Sequence, residues 1–424
     1  MNKKIVGIFI CILLIFTILP ASANIIVDRT NNSIMPGNTL YVGGSGEGNY
    51  TRIQDAINDS NDGDIVFVYN GVYYENVEIN KSITLKGQNK NNTIIDGGGV
   101  GNVFYITGES ASINGFTIQK GGASTHDDFA GVNVGAKYVV ISDNIILNNS
   151  DFGIIIEQKI TMAKAYLTIS KNIITRNNNY GIYFNSAYNT ISENVISENK
   201  YGIFLQRDSN YNVIISNTVK DNTNGIVLHG YHDSNYNTVK SNIIQDNNNG
   251  ITIQASHSNK IENNTITNNG EYGIFLDYQD YNDPDVYARL TSSNNNITGN
   301  FISGQQYGIL IELECDNNII CNNNIKDNDW GLYTEVSNNN KIEKNNFIGN
   351  TRSAYFKTYW RYDIIFNQNY WDDLNGSSKK QIIGKKAIIP ILPPREIQFY
   401  WLYIRCFKYD NSPAKESYDI PDIS

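Results

Sequence analysis

Residues 189–205 read NTISENVISENKYGIFL and contain every part of a repeat that fills the middle of the chain. Three short pieces alternate β-branched or apolar residues with polar ones, and Asn or Gly separates the pieces. This alternation is typical of β-strands, because successive side chains point to opposite faces of a strand. Asn and Gly tolerate the left-handed backbone of tight bends. The unit therefore predicts three strands joined by three bends.

The unit recurs at a nearly constant spacing. Its first Asn stands at Asn144, Asn172, Asn194, Asn217, Asn242, Asn264, Asn300, Asn323 and Asn346. Its Gly stands at Gly153, Gly181, Gly202, Gly225, Gly250, Gly273, Gly308 and Gly331. Among 424 residues, Asn occurs 65 times and Ile 63 times, a bias that ordinary globular chains do not show. Such units bury a core only by stacking, so we expect an all-β parallel β-helix whose rungs repeat at ~4.8 Å.

Both ends of a solenoid expose core unless they are capped. Thr51 and Gln54 have the spacing of a capping box, and Ile53, Ala56 and Ile57 form one apolar face. We therefore expect an amphipathic helix that closes the N-terminal end.

The remaining organisation follows from changes in composition. Lys3 and Lys4 precede an apolar stretch that ends in small residues, which predicts a secretory signal cleaved after Ala23. An apolar run of this length is short for a membrane span, so we expect a secreted or cell-surface protein with no membrane span after cleavage. The predicted parts are a signal peptide (1–23), an N-terminal segment with the cap helix (24–60), the β-helix (61–356) and an aromatic C-terminal cap (357–424).

The charge balance excludes one class of partner. The chain has 33 basic and 42 acidic side chains and a net charge of -9, without a long basic run. A phosphate backbone attracts a basic surface, so DNA and RNA are not expected partners.

The entry segment of the repeat resembles a known family. The residues that carry this resemblance are YVG (41–43), the predicted helix, GDI (63–65), GVYYENV (71–77), ITL (83–85) and IIDG (94–97). They are similar to the start of NosD-like exported β-helix proteins, which belong to the pectin-lyase-like superfamily that carries the domain of carbohydrate-binding proteins and sugar hydrolases (CASH). NYWDD (369–373) with NG (375–376) resembles the end of archaeal surface members. The resemblance implies a right-handed coil, but it leaves the function open among lyases, hydrolases, epimerases, adhesins and a copper-site accessory protein.

The repeat assigns side chains to the two faces of its third strand. Counted from the rung Gly, the residues one and three positions later are apolar and are expected to point inward. Two positions after the Gly, we expect an outward aromatic stripe that stacks on sugar rings, with Tyr183, Phe204, Phe275 and Tyr333 as its substrate-binding residues. Alternatively, these rings serve only the stacking of strands.

Four positions after the Gly, three successive rungs carry Asp277, Glu312 and Glu335. At ~5 Å spacing, one carboxyl group of a pair has its pKa raised. A protonated and an ionised carboxyl group side by side are what glycosidic cleavage needs, so these are the candidate catalytic residues. A calcium site and a solvated acidic edge are the alternatives.

A longer step separates Asn264 from Asn300 and predicts an inserted loop after Asp277. Inserted loops on regular solenoids commonly build sites. Here we name Asp280, Asp283 and Asp285 as candidate calcium ligands, and Arg289 as a candidate substrate-binding residue.

Other metal-binding residue types are few. His232 and His257 stand at equivalent positions of adjacent rungs near His229, an arrangement that fits a shared metal or, more simply, surface turns. Cys315 and Cys321 either pair across a turn or are free thiols.

Three functions remain open. The first is the binding of an extracellular or cell-surface polysaccharide, with cleavage as a glycoside hydrolase or lyase. The second is a structural surface or adhesion rod without catalysis. The third is a NosD-like accessory role in copper-site maturation.

Overall fold

The computed structural model describes residues 37–122, 129–156, 164–230, 234–279, 290–359, 363–374, 377–391 and 400–420. They form a parallel β-solenoid of 13 turns, with three parallel sheets and one short helix, Ile53–Asp59. The predicted fold class is confirmed.

Each rung contributes one strand to each sheet. Sheet 1 contains Thr39–Val42, Ile65–Val68, Thr84–Gly87, Ser112–Asn114, Val140–Ser142, Thr168–Ser170, Thr190–Ser192, Val213–Ile215, Thr238–Lys240, Lys260–Glu262, Asn296–Thr298, Ile319–Cys321, Asn340–Glu343 and Ile364–Asn367. Sheet 2 contains Gly71–Tyr74, Thr93–Asp96, Thr117–Gln119, Ile145–Leu147, Ile173–Thr175, Val195–Ser197, Thr218–Lys220, Ile243–Gln245, Thr265–Thr267, Phe301–Ser303, Asn324–Lys326, Asn346–Ile348 and Tyr370–Trp371. Sheet 3 contains Val77–Ile79, Phe104–Ile106, Ala130–Val134, Phe152–Ile156, Tyr180–Phe184, Tyr201–Gln206, Asn224–His229, Asn249–Gln254, Tyr272–Asp277, Tyr307–Ile311, Trp330–Glu335, Arg352–Tyr359, Lys380–Ile391 and Tyr400–Asp410.

The core is a continuous column of aliphatic side chains enclosed by the three sheets. On sheet 3, the residues one and three positions after the rung Gly point inward as predicted, and Ile203 and Leu205 are fully buried. The Gly is required because its backbone touches the next rung. A Cβ on Gly225 would lie 2.6 Å from the carbonyl oxygen of Gly250.

A column of buried amides runs along each of the three corners of the coil. The first contains Asn144, Asn172, Asn194, Asn217, Asn242, Asn264, Asn300, Asn323, Asn345 and Asn369. Each side chain donates to the amide oxygen of the next rung, as Asn194 Nδ2 does to Asn217 Oδ1 at 2.9 Å. Stacked amides thereby satisfy the buried polar groups of the bends.

The left-handed backbone conformation belongs to the residues that precede these buried Asn residues, not to the buried Asn residues themselves. In the quoted unit, Tyr188, Glu193 and Glu198 have positive φ angles, and each precedes a buried Asn. The buried Asn does not have this conformation, because its hydrogen bonds to the neighbouring rungs hold it. The residue before it does, and at some bends, such as Asn263 and Asn322, that residue is an Asn, as expected.

The helix Ile53–Asp59 packs on the first rungs with Ile53, Ala56 and Ile57 fully buried, as predicted. The expected capping box is wrong. Arg52 is the N-cap and its side chain makes no capping hydrogen bond. Instead, Glu75 accepts hydrogen bonds from the backbone of Ile53 at 2.9 Å and of the following residue at 3.2 Å.

At the other end, the rung pattern runs beyond Phe356 to the buried Trp371, which stacks on Phe347 with ring centroids 4.4 Å apart. Two antiparallel strands, Lys380–Ile391 and Tyr400–Asp410, then close sheet 3. The first amide column ends on the fully buried Asp410, whose carboxylate accepts the side chain of Asn369 at 3.1 Å.

Two further features concern the described residues only. No helix among them could span a bilayer. Cys315, Cys321 and Cys406 are free, and the Cys315 thiol is buried against the core, which raises its pKa.

Candidate functional site

The outer face of sheet 3 carries three columns of side chains along the coil axis. The first column, which precedes the rung Gly, contains Phe152, Tyr180, Tyr201, Asn224, Asn249, Tyr272, Tyr307, Trp330 and Arg352. The second column contains Ile155, Tyr183, Phe204, Val227, Thr252, Phe275, Leu310, Tyr333 and Tyr355. The third column contains Gln206, His229, Gln254, Asp277, Glu312, Glu335, Lys357, Lys385 and Arg405.

The predicted stripe lies in the second column, and its members differ in exposure. Tyr183, Phe275 and Tyr333 are partly exposed. Phe204 is only 9% exposed, because Tyr183 stacks on it at 5.7 Å and neighbouring rings cover its edges. Phe204 therefore points outward without presenting an open ring face.

The first column was not predicted, although its signal is in the sequence as an aromatic residue directly before most rung glycines. Tyr180 and Tyr201 stack at 4.9 Å, and Tyr307 and Trp330 at 6.4 Å. Together with Tyr333, which meets Trp330 edge to face at 5.5 Å, these rings give the outer face a broad aromatic floor.

Asp277, Glu312 and Glu335 lie on three consecutive strands in the third column, next to this floor. Glu312 directly follows the strand Tyr307–Ile311 and extends its pairing with the preceding strand, because its backbone N–H donates to the carbonyl of Leu276 at 3.0 Å. Adjacent strands are ~4.8 Å apart, so the three carboxyl groups face a common strip of surface.

The environments of these carboxyl groups differ. Burial, with the negative charges of Asp277 and Glu335, raises the pKa of Glu312 to about 7. Burial also raises the pKa of Asp277. Hydrogen bonds from the backbone of Tyr278 and from Gln254 Nε2 at 2.7 Å lower it by a smaller amount. Glu335 instead forms an ion pair with Lys357 of the next strand. The strip thus combines a carboxyl group that holds its proton near neutral pH with a carboxylate that faces a cation.

A cleft of about 630 Å³ lies at the C-terminal end of the same face. Trp330 and Tyr355 form its aromatic wall, and Arg352 stacks its guanidinium 4.2 Å above the Trp330 ring. Lys380 and Lys385, which come from the first closing strand, also line the cleft, and Lys380 forms an ion pair there with Asp373. This cleft was not predicted from the sequence, because it depends on where the C-terminal hairpin pairs.

Not all predicted site residues can be placed. Asp280, Asp283, Asp285 and Arg289 lie outside the described residues. The structure does show the base of their loop, where the backbones of Gln279 and Leu290 exchange hydrogen bonds of 2.8 and 3.1 Å.

The described residues do not provide a recognisable metal centre. Among them, no group of three or more His, Cys, Asp or Glu side chains is placed to hold a metal ion. His257 Nδ1 accepts a hydrogen bond from the backbone of Ser293 at 3.2 Å, and burial lowers the pKa of His229. His232 lies outside the described residues.

A separate row of stacked tyrosines, also not predicted, follows the corner between sheets 3 and 1. Its rings belong to Tyr138, Tyr166, Tyr188, Tyr211 and Tyr236, and neighbouring centroids are 5.0 to 5.4 Å apart. Each tyrosine lies at a bend and itself has the left-handed backbone conformation, which turns its side chain outward. This row lies on a different edge from the carboxyl groups.

Comparison with solved structures supports the fold. The Dettilon tailspike protein (gp208) is 16% identical, with a TM-score of 0.51 over 84% of this chain and 73% of that chain. The A-module of mannuronan C-5 epimerase AlgE6 from Azotobacter vinelandii is 14% identical, with a TM-score of 0.43 over 75% and 87% of the two chains. A mannuronic acid specific polysaccharide family 6 lyase from human gut microbiota is 13% identical, with a TM-score of 0.49 over 80% and 92%. Of these three, the tailspike protein has a TM-score above 0.5, and at 16% identity its likeness concerns the fold alone.

Family models match two overlapping parts of the sequence. Residues 130–287 match the model described as right handed beta helix region. Residues 230–386 match the model described as periplasmic copper-binding protein (NosD). Among curated proteins, the sequence has no significant match. The chain therefore contains a region that matches the right-handed β-helix model and an overlapping region that matches the NosD model, in agreement with the NosD-like resemblance predicted from the sequence.

Proposed function

We propose that this protein is exported and binds an extracellular or cell-surface polysaccharide along the outer face of sheet 3, where Asp277, Glu312 and Glu335 cleave it. The observation that carries the proposal is the position of three interacting carboxyl groups beside a broad aromatic floor. Aromatic faces stack on apolar faces of sugar rings, and a solenoid supplies a binding surface as extended as a polymer.

The chemistry follows from the protonation states. Glu312 holds its proton near neutral pH and donates it to the leaving glycosidic oxygen. Glu335, which faces Lys357, is the carboxylate that attacks the sugar or activates water. Carboxyl groups ~5 Å apart favour the retaining route over the inverting one, which needs a wider gap.

The test of cleavage is the release of reducing ends from a panel of polysaccharides. Glu312→Gln is expected to lower turnover by about 10² to 10⁴ while leaving affinity intact, because it removes only the transferable proton. The matched control is Glu262→Gln on the outer face of sheet 1. Full activity of the Glu312 variant would refute the catalytic assignment.

The test of binding uses the aromatic floor. Phe275→Ala and Tyr333→Ala should weaken binding to the same polysaccharides, whereas Tyr211→Ala on the other edge should not. A protein that binds no member of the panel would be better explained as a structural rod. The first amide column, which is continuous from Asn144 to Asn369, supports that second candidate, because it stiffens the coil without reference to a ligand.

A further inference from the structure

The charge of the side chains in the third column of sheet 3 changes from negative to positive along the coil axis. Asp277, Glu312 and Glu335 are followed on the next three strands by Lys357, Lys385 and Arg405. Parallel register pairs Glu335 with Lys357 and Lys357 with Lys385, and the closing antiparallel strand pairs Lys385 with Arg405. Three acidic side chains and then three basic ones therefore form one line on the same face.

The two terminal cations are available to a ligand. Lys357 is engaged by Glu335. Lys385 and Arg405 are both exposed, and neither forms an ion pair within the described part of the chain. Two adjacent cations without a carboxylate partner create a local positive potential, which attracts an anion from outside.

The cleft beside these cations has the shape and chemistry of a sugar site. Trp330 and Tyr355 contribute apolar ring surface to this cleft of about 630 Å³, and Lys385 lines it too. Arg352 holds its guanidinium 4.2 Å from the Trp330 ring, and the one acidic residue among the described lining residues, Asp373, is paired with Lys380. A ligand that matches this arrangement has an apolar face for the rings and a negative group at its edge.

We propose that Lys385 and Arg405, together with Arg352 and the wall of Trp330 and Tyr355, form a subsite for the charged residue of an acidic polysaccharide. This inference rests on the proposed function and names its substrate class. The anionic group is a carboxylate or a sulfate, since both accept charge-assisted hydrogen bonds from Lys and Arg.

The position of the subsite also sets its distance from the carboxyl groups. Lys385 lies two strands from Glu335, which is ~10 Å along the axis. An acidic residue held there keeps its charge away from Asp277 and Glu312, which would repel it. The bond presented to the carboxyl groups is then one or two sugars from the anchored charge.

The experiment compares polymers that differ only in charge. Binding is measured for polygalacturonate against its methyl ester, alginate against its propylene glycol ester, and dextran sulfate against dextran, all in the presence of a metal chelator. We expect at least one acidic member to bind more tightly than its neutral partner. In the double variant Lys385→Gln, Arg405→Gln, affinity for that member should fall about tenfold or more, with binding of the neutral partner unchanged.

The control variant is Lys260→Gln, Lys341→Gln, which makes the same change in net charge on the outer face of sheet 1. It should bind like the unmodified protein. Equal binding of acidic and neutral partners, or an undiminished affinity of the Lys385 and Arg405 variant, would overturn the subsite while leaving the proposed function standing. Failure of every polymer to bind would overturn both.

Discussion

Glu312→Gln should make the protein more stable at neutral and alkaline pH and have no such effect in acid. The pKa of Glu312 is raised from 4.5 to about 7, chiefly by burial and then by Asp277 and Glu335. Between these two values the folded state holds a proton that the unfolded state has released. Stability therefore falls as the pH rises from 4.5 to about 7, and the full penalty is present above that range.

The size of the effect follows from the shift. One pKa unit corresponds to about 1.36 kcal/mol, so the whole shift would amount to roughly 3 kcal/mol in the absence of screening. Because the Glu312 side chain is partly exposed to water and Lys357 offsets the neighbouring acids, we expect about 1 kcal/mol of this to be measured. Gln keeps the shape of the side chain and removes the titration.

The assay is thermal unfolding from pH 4.5 to pH 8 for the unmodified protein, Glu312→Gln and a control. Repeat arrays can unfold in several steps, so the readout is how the difference between proteins changes with pH rather than an absolute free energy. The control is Glu109→Gln, which changes an exposed carboxylate in a bend. We expect the Glu312 difference to grow from near zero at pH 4.5 to its full value at pH 8, and the Glu109 difference to stay flat.

A difference for Glu312→Gln that does not change with pH would refute the reasoning. It would mean that Glu312 loses its proton at the same pH folded and unfolded, and hence that it is ionised at neutral pH. Its proposed role as the proton donor in glycosidic cleavage would then fail as well.

Three further changes test the architecture by thermal or urea unfolding. Asn217→Ala removes five hydrogen bonds of a buried amide and should cost about 3 kcal/mol, whereas the exposed Asn178→Ala should cost little. Gly225→Ala puts a Cβ 2.6 Å from a backbone oxygen and should cost about 1 to 3 kcal/mol, whereas Gly135→Ala meets nothing closer than 3.7 Å and should be tolerated. Asp410→Asn should cost about 2 kcal/mol, because the new amide hydrogens would face groups that only donate; unchanged stability in any of the three would contradict the contact on which it rests.

The fold was predictable because it depends on a local period that repeats. Once the Gly of each rung is aligned, the alternation alone places Ile203 and Leu205 inside and Asp277 outside, and the structure agrees. The detail of the bends was not predictable in the same way. Positive φ angles fall on residues as different as Tyr188 and Glu193, because the buried Asn that follows sets the bend through hydrogen bonds to other rungs.

The candidate site was likewise predictable only in the part that follows the repeat. The acidic half could be found from the sequence, since Asp277, Glu312 and Glu335 occupy one position of successive repeats. The basic half could not be found in this way, because Lys385 and Arg405 belong to strands that lack the repeat. The strand that carries Arg405 also runs antiparallel to its neighbour. Their alignment with Glu335 is a property of register in the folded chain.

The geometry of a solenoid explains why a site would form at this junction. Every rung offers the same outward positions ~4.8 Å apart, so a column of similar side chains presents a uniform surface along which a polymer can slide. Position along such a surface is defined only where a column changes its chemistry. On sheet 3 the change from Glu335 to Lys357 is such a point, and aromatic rings line both sides of it. An acidic polymer that follows the aromatic floor would stop where its charge meets the cations, and that stop would place a defined bond over the carboxyl groups.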